Sequence, residues 1–205
     1  MSKSKIKLKC IFIGNRSVGK TSIILRYTKN EFTSGYIPTI GADFTTIDLK
    51  FDKDEDEFIH DQTEILDGFG LDIAKYETLK IHYNNDDKIY VWDLAGQRLF
   101  QKIRRYYMSN AFISILIFDI NDYETYDLEN WINDLEEMSP DSELIIAANK
   151  TDLVETDNKK IVKRIKKLIK RYNHDVYLVS AKSGEGIKEL FIRLKLLVMQ
   201  KLEDA

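Results

Sequence analysis

An eight-residue loop with a strand before it and a helix after it constrains this chain more than any other feature. The apolar run Ile6–Ile13 empties into Gly14-Asn15-Arg16-Ser17-Val18-Gly19-Lys20-Thr21, and Ser22–Tyr27 continues as a helix-like segment. Two glycines with four residues between them, then Lys and a hydroxyl residue, form the phosphate-cradling pattern in the setting that gives it meaning. Glycines let backbone N–H groups turn inward on a polyphosphate, the helix N-terminus adds the positive end of its dipole, and Lys20 adds a point charge. Thr21 sets a hydroxyl where a phosphate-bound Mg²⁺ needs an oxygen ligand.

The remaining pattern alternates strands with helices. Asp43–Phe51 reads as a strand, and Thr78–Tyr83, Asn84–Asp87 and Lys88–Asp93 read as strand, turn and strand. Ala111–Asp119 and Leu144–Ala148 are continuous apolar runs, as expected of parallel strands buried on both faces. Helical spacing follows in Tyr126–Met138, in the stripe Ile161, Ile165, Leu168, Ile169 and Tyr172, and in the stripe Ile187, Leu190, Phe191, Leu194 and Leu197. Val176–Val179 is a short strand between the last two. The expected fold is α/β, with a mostly parallel central sheet of about six strands and helices on both faces.

Bulk properties narrow the partners. With 31 basic and 34 acidic residues the net charge is −3, so the chain lacks the global basic field of a nucleic-acid binder. It shows no run of 18 apolar residues, and Met1–Lys5 has no apolar signal region behind it. The single cysteine, Cys10, excludes a disulfide framework and points to a reducing, cytoplasmic setting. The length of 205 residues suits one domain over 1–205.

Four further motifs follow in order: Thr39-Ile40-Gly41-Ala42-Asp43-Phe44, Asp93-Leu94-Ala95-Gly96-Gln97, Asn149-Lys150-Thr151-Asp152 and Ser180-Ala181-Lys182. With the phosphate loop, they make the chain resemble the Ras superfamily of small GTPases, its Rab-like branch above all. The resemblance covers roughly Lys5 to Val198, apart from a middle insertion. It implies a P-loop G domain that binds GTP or GDP with Mg²⁺ and hydrolyses GTP slowly. Asp93 would join Thr21 and Thr39 at the metal, Gln97 would orient the attacking water, and Lys20 and Gly96 would meet the phosphates. Thr39 and Gly96 would order with the γ-phosphate and release after hydrolysis, which makes a two-state element.

Asp152 can accept two hydrogen bonds from the N1–H and 2-amino group of guanine, a pair that adenine lacks. By the resemblance Lys150 lies along the purine face, Asn149 braces the loop, the Ala181 N–H meets the guanine oxygen and Phe32 covers the base edge. Ser22, Tyr36, Leu153, Ser180 and Lys182 complete the implied nucleotide contacts. Phe44, Trp92 and Tyr107 resemble the switch-linked aromatic cluster read by effectors. Effectors, an exchange factor and a GTPase-activating protein are therefore the expected partners of a chain expected to be monomeric.

The chain departs from the family pattern in three places. Arg16 occupies a loop position usually held by Gly or Ser, and Leu94 and Arg98 replace the usual Thr and Glu around Gln97. These changes leave open whether hydrolysis is sped, slowed or lost, so a hydrolysis-deficient GTP-binding module is the alternative reading. Next, Thr39 and Asp93 are 54 residues apart, against about 20–25 needed for two strands and a turn. About 30 residues are thus inserted, placed at 52–77, with an acidic, solvated excursion or a partner-selecting element as the readings. Asp52, Asp54 and Asp56 alternate as in a calcium loop, but Glu57 and Thr63 stand where its Gly and Glu belong. Last, Gln200–Ala205 holds no cysteine for prenylation, so any membrane association is expected to be peripheral and unlipidated. The basic helix Lys159–Arg171 reads either as a surface helix docked on its sheet or as an anionic-membrane surface.

Overall fold

Residues 7–35, 38–83, 87–97, 101–122, 128–154 and 158–203 are described by the structure, a computed structural model. At its centre lies β1 (Lys7–Ile13), whose alternate side chains enter two separate cores: Cys10 and Phe12 on one face, Ile11 and Ile13 on the other. That double burial follows from the unbroken apolar run read in the sequence.

Among the described residues, six strands form one sheet in the order β2-β3-β1-β4-β5-β6, with β2 (Ala42–Asp48), β3 (Lys88–Leu94), β4 (Ile113–Asp119), β5 (Glu143–Asn149) and β6 (Val176–Leu178). Only β2 runs antiparallel to its neighbour β3; β1 pairs in parallel with β3 and β4, and β5 with β4 and β6. The expected α/β class, strand number and mostly parallel sense are all found.

Helices cover both faces. On one lie α1 (Lys20–Lys29) and α8 (Ile187–Glu203), joined by α2 (Lys53–Asp61), α3 (Glu64–Asp67) and α4 (Ile73–His82). On the other lie α5 (Gln101–Met108), α6 (Glu129–Met138) and α7 (Lys159–Tyr172). The parallel strands end at Ile13, Leu94, Asp119 and Asn149, so the loops that carry the motifs cluster at one edge, where open α/β sheets bind ligands.

Two expectations about the middle of the chain are overturned. Thr78–Tyr83 is not a strand: residues 73–82 form α4, and the antiparallel partner of β3 is β2, from Ala42↔Leu94 to Asp48↔Lys88. The turn expected at Asn84–Asp87 lies mostly outside the described residues. The inserted segment is also not a solvated excursion. Ile59, Ile65, Leu66, Leu71, Tyr76 and Leu79 are buried in the same core as α1 and α8. Its acidic start is a capping box: the Asp52 side chain accepts from the Glu55 N–H, and the Glu55 side chain accepts from the Asp52 N–H. Those carboxylates start a helix, which accounts for the alternation that mimicked a calcium loop. No helix among the described residues is long and apolar enough to cross a membrane.

Candidate functional site

The motif loops enclose a cleft of about 810 Å³ at the carboxyl edge of the sheet. At one end is the phosphate loop. Arg16, Ser17, Gly19, Lys20, Thr21 and Ser22 line the cleft there, while Val18 is fully buried beneath it. The Lys20 ammonium donates to the carbonyls of Gly14 and Asn15, each at 2.9 Å, which holds it along the loop. Glycine is required at two positions. Gly19 has φ +96°, and a Cβ there would stand 2.2 Å from Asn149 Nδ2. Gly96 packs so closely on the loop that a Cβ would stand 2.4–2.6 Å from the backbone of Asn15 and Arg16.

An oxygen-lined corner adjoins it. Thr21 Oγ1 donates to Asp93 Oδ2, lies 3.1 Å from Thr39 Oγ1, and Thr39 Oγ1 in turn reaches Asp93 Oδ2 at 3.4 Å. Asp93 is 4% exposed, and its Oδ1 has no hydrogen-bond partner among the described residues. Burial raises the Asp93 carboxyl above its ordinary range; the Thr21 hydrogen bond, the Lys20 charge and the Thr39 hydroxyl oppose the shift. An all-oxygen set with an orphaned buried carboxylate oxygen fits a hard divalent cation such as Mg²⁺. Gln97 and Gly96 line the cleft nearby.

The far end holds the residues expected to recognise a base. Asn149, Lys150, Asp152, Leu153, Ala181 and Lys182 line it, with Phe32 at its rim, 38% exposed. Asn149 ties three loops together: its Nδ2 donates to the Val18 carbonyl at 2.8 Å and its Oδ1 accepts from the Ala181 N–H at 3.1 Å. This engages the N–H expected to meet the guanine oxygen, so Ala181 acts here as a brace. Ser180, also fully buried, donates to Asp152 Oδ1 at 2.6 Å and fixes that carboxylate. Lys182 lies 3.6 Å from Asp152 Oδ2. Tyr36 and Arg98 lie outside the described residues. Leu94 is fully buried among Ile11, Ile13 and their neighbours, so its side chain serves the core and does not reach the cleft.

Three supporting residues carry no local sequence signal. Trp131 of α6 donates from Nε1 to Asn15 Oδ1 at 3.0 Å, gripping the phosphate loop from 116 residues away. Asp119, at the end of β4, sits 2.6 Å from the Lys150 ammonium and orients it. Arg26 of α1 donates to the carbonyls of Ala181 and Lys182, both at 2.8 Å. Outside the cleft, at the β2–β3 edge, Phe44, Trp92 and Tyr107 form a continuous row, with ring centroids 5.9 and 5.7 Å apart. Phe44 is 66% and the adjoining Tyr106 74% exposed, a large aromatic surface to leave open.

Comparison with known proteins gives a consistent result. The Ras family model matches residues 9–70 and 62–200, two segments that meet inside the inserted helices. Human Ras-related protein Rab-15 is 31% identical over 199 residues, covering 95% of this chain and 78% of the relative. Ras-related protein Rab-4 of Dictyostelium discoideum is 28% identical over 208 residues, covering all of this chain and 85% of the relative. Ras-related protein Rab-22A of mouse is 29% identical over 191 residues, covering 92% and 81%.

Proposed function

The chain belongs to the Ras family of small GTPases, and we propose that it is a Mg²⁺-dependent guanine-nucleotide switch of Rab-like type that hydrolyses GTP slowly and is regulated by partners. One observation carries the reading. A single cleft has a phosphate loop with an oxygen-lined cation corner at one end and a fixed carboxylate, Asp152, at the other. Bound Mg²⁺ would be held by Thr21, Thr39 and Asp93 and would neutralise phosphate charge. Lys20 and the loop N–H groups would stabilise charge on the β- and γ-phosphates, and Gln97 would hold the attacking water in line. Asp152 would select guanine, because its carboxylate can pair with the N1–H and 2-amino group and adenine offers no matching donors. Phe44, Trp92 and Tyr107 would form the surface that effectors read, in trafficking- or signalling-type regulation.

Competition of GTP and ATP for a fluorescent GDP analogue tests the binding half. Preference for GTP is expected, and equal competition would sink it. Chelation of Mg²⁺ is expected to speed nucleotide release from the wild type and to change release little in Asp93→Ala.

A GTP-locked module with negligible turnover is the second reading, and the role of Arg16 decides between it and the first. Arg16 is exposed on the loop, Gly96 packs against its backbone, and both Arg16 and Gln97 line the cleft. Arg16 would either supply transition-state charge in cis, an effect worth about 10³-fold or more, or exclude an activating partner. Single-turnover hydrolysis by Arg16→Ala separates these outcomes. A fall in rate supports catalysis in cis; an unchanged or faster rate removes it.

A further inference from the structure

We propose that the solvent face of α7 is a docking surface for anionic phospholipid membrane. The helix is LysLys-Ile-Val-LysArg-Ile-LysLys-Leu-Ile-LysArg-Tyr: eight basic residues and no acid in fourteen. It therefore carries +8 in a chain of net charge −3, which leaves −11 on all other residues. The inner stripe of Ile161, Ile165, Leu168 and Tyr172 packs on β5 and its neighbours and holds the helix to the sheet. That packing fixes which side chains face outward. Lys159, Lys160, Lys163, Lys166, Lys167 and Lys170 are all exposed, and none of these six ammonium groups is ion-paired among the described residues. Arg171 is paired with Glu129. Val162, 48% exposed, lies within the lysine field and offers an apolar contact at headgroup depth.

The pattern favours a membrane over a discrete acidic ligand. Lysines are flexible point charges, suited to a fluid layer of headgroups, whereas built anion sites use planar, bidentate arginines. Fourteen residues make a straight ridge about 21 Å long, which a planar surface can meet along its whole length. A long polyanion would run past the helix onto the net acidic remainder. Carboxylates on the opposite face of the sheet lie beyond the Debye length of about 8 Å and scarcely weaken contact with a plane. Sheet order supplies the orientation: α7 flanks β5 and β6, and the aromatic row stands at the opposite β2–β3 edge. A molecule lying on a membrane through α7 keeps that row open. The inference stands on charge and position and does not depend on the nucleotide reading.

Vesicle flotation of the full chain, with phosphatidylcholine alone or with added phosphatidylserine, tests it. Flotation only with the anionic vesicles is expected, declining as salt rises. Each lysine near such a surface contributes about fivefold in affinity, so Lys159→Gln, Lys163→Gln, Lys166→Gln and Lys170→Gln together should weaken binding about 10²–10³-fold. None of the four lines the nucleotide cleft, so retained fluorescent-GDP binding shows that this variant is folded. Should the variant not fold, salt release of the wild type decides the matter. Equal flotation with neutral vesicles, retention at high salt, or a folded variant that floats like the wild type overturns the proposal. Capture by soluble polyglutamate without flotation also overturns it, in favour of an acidic protein partner.

Discussion

Replacing Lys195 with Met is expected to cost this protein about 3–5 kcal/mol, the loss associated with stranding one member of a buried ion pair. Lys195 lies on α8 and is 3% exposed at the side chain; its partner Glu55, on α2, is 2% exposed. The ammonium sits 2.7 Å from Glu55 Oε2 and 3.0 Å from the Lys50 carbonyl, between the rings of Tyr27 and Phe51. Glu55 Oε1 accepts from Tyr27 of α1 at 2.6 Å. One carboxylate therefore joins the insertion to the first and last helices of the fold. Methionine keeps the aliphatic packing of the lysine stem, so the loss isolates the charge. At about 2–4 °C per kcal/mol for a domain of this size, Tm should fall by about 6–20 °C. Urea unfolding followed by Trp92 and Trp131 fluorescence, at fixed GDP and Mg²⁺ because ligand binding adds its own stability, measures it. Glu55→Gln and the double variant complete a cycle, with the double expected to be less damaged than the sum by about 1–3 kcal/mol. A Lys195→Met loss below about 1 kcal/mol, the range of surface pairs, or strict additivity refutes the reasoning.

If Asp152 pairs with guanine as proposed, Asp152→Ala removes two charge-assisted hydrogen bonds, so GTP affinity should fall about 10²–10⁴-fold in calorimetric titration, with the GTP-over-ATP preference lost. Trp131→Phe preserves the apolar packing but frees Asn15; single-turnover GTP hydrolysis should slow several-fold while fluorescent-GDP affinity changes little. The Cys10 thiol is fully buried, and burial raises its pKa above the ordinary value. Its neutral form is favoured in the fold, so the contribution is intact below an unfolded thiol pKa of about 8.5 and is lost above it, at about 1.4 kcal/mol per pH unit. Urea midpoints measured from pH 8 to 10 should show this slope in the wild type and a shallower one in Cys10→Ala. For the same reason native Cys10 should resist thiol reagents until the chain unfolds.

What was legible in the sequence was chemistry carried by neighbours along the chain. Gly14–Thr21 and Asn149–Asp152 each place several cleft-lining groups within one loop, and strands such as Ile113–Asp119, buried at every position, announce themselves as apolar runs. Groups that act by meeting across the fold were not legible. Nothing near Trp131 or Arg26 signals a hydrogen bond to Asn15 or to the Ala181 carbonyl. Likewise only the fold shows the Ala181 N–H donating to Asn149 Oδ1. The strand expected at Thr78–Tyr83 failed for a related reason. Leu79, Ile81 and Tyr83 alternate, but the spacing that matters is Tyr76 to Leu79, buried on one helical face while Ile81 is 82% exposed.

The inserted segment's helical course bears on what it does. It leaves β2 at Asp48 and returns at Lys88, at the end of the sheet opposite the cleft, so it cannot contact nucleotide directly. Its apolar residues are spent on the shared core, and Glu55 is spent on Tyr27 and Lys195. An excursion that only displayed a partner site could be solvated and acidic, as the composition suggested; this one extends the layer of helices on the α1–α8 face. Partner selection, if the segment has that role, must rest on its outward residues, with Ile81 and the half-exposed Ile73 foremost. Removing the whole segment would expose the underlying core and report on folding, whereas replacing Ile81 alone leaves the core intact and reports on recognition.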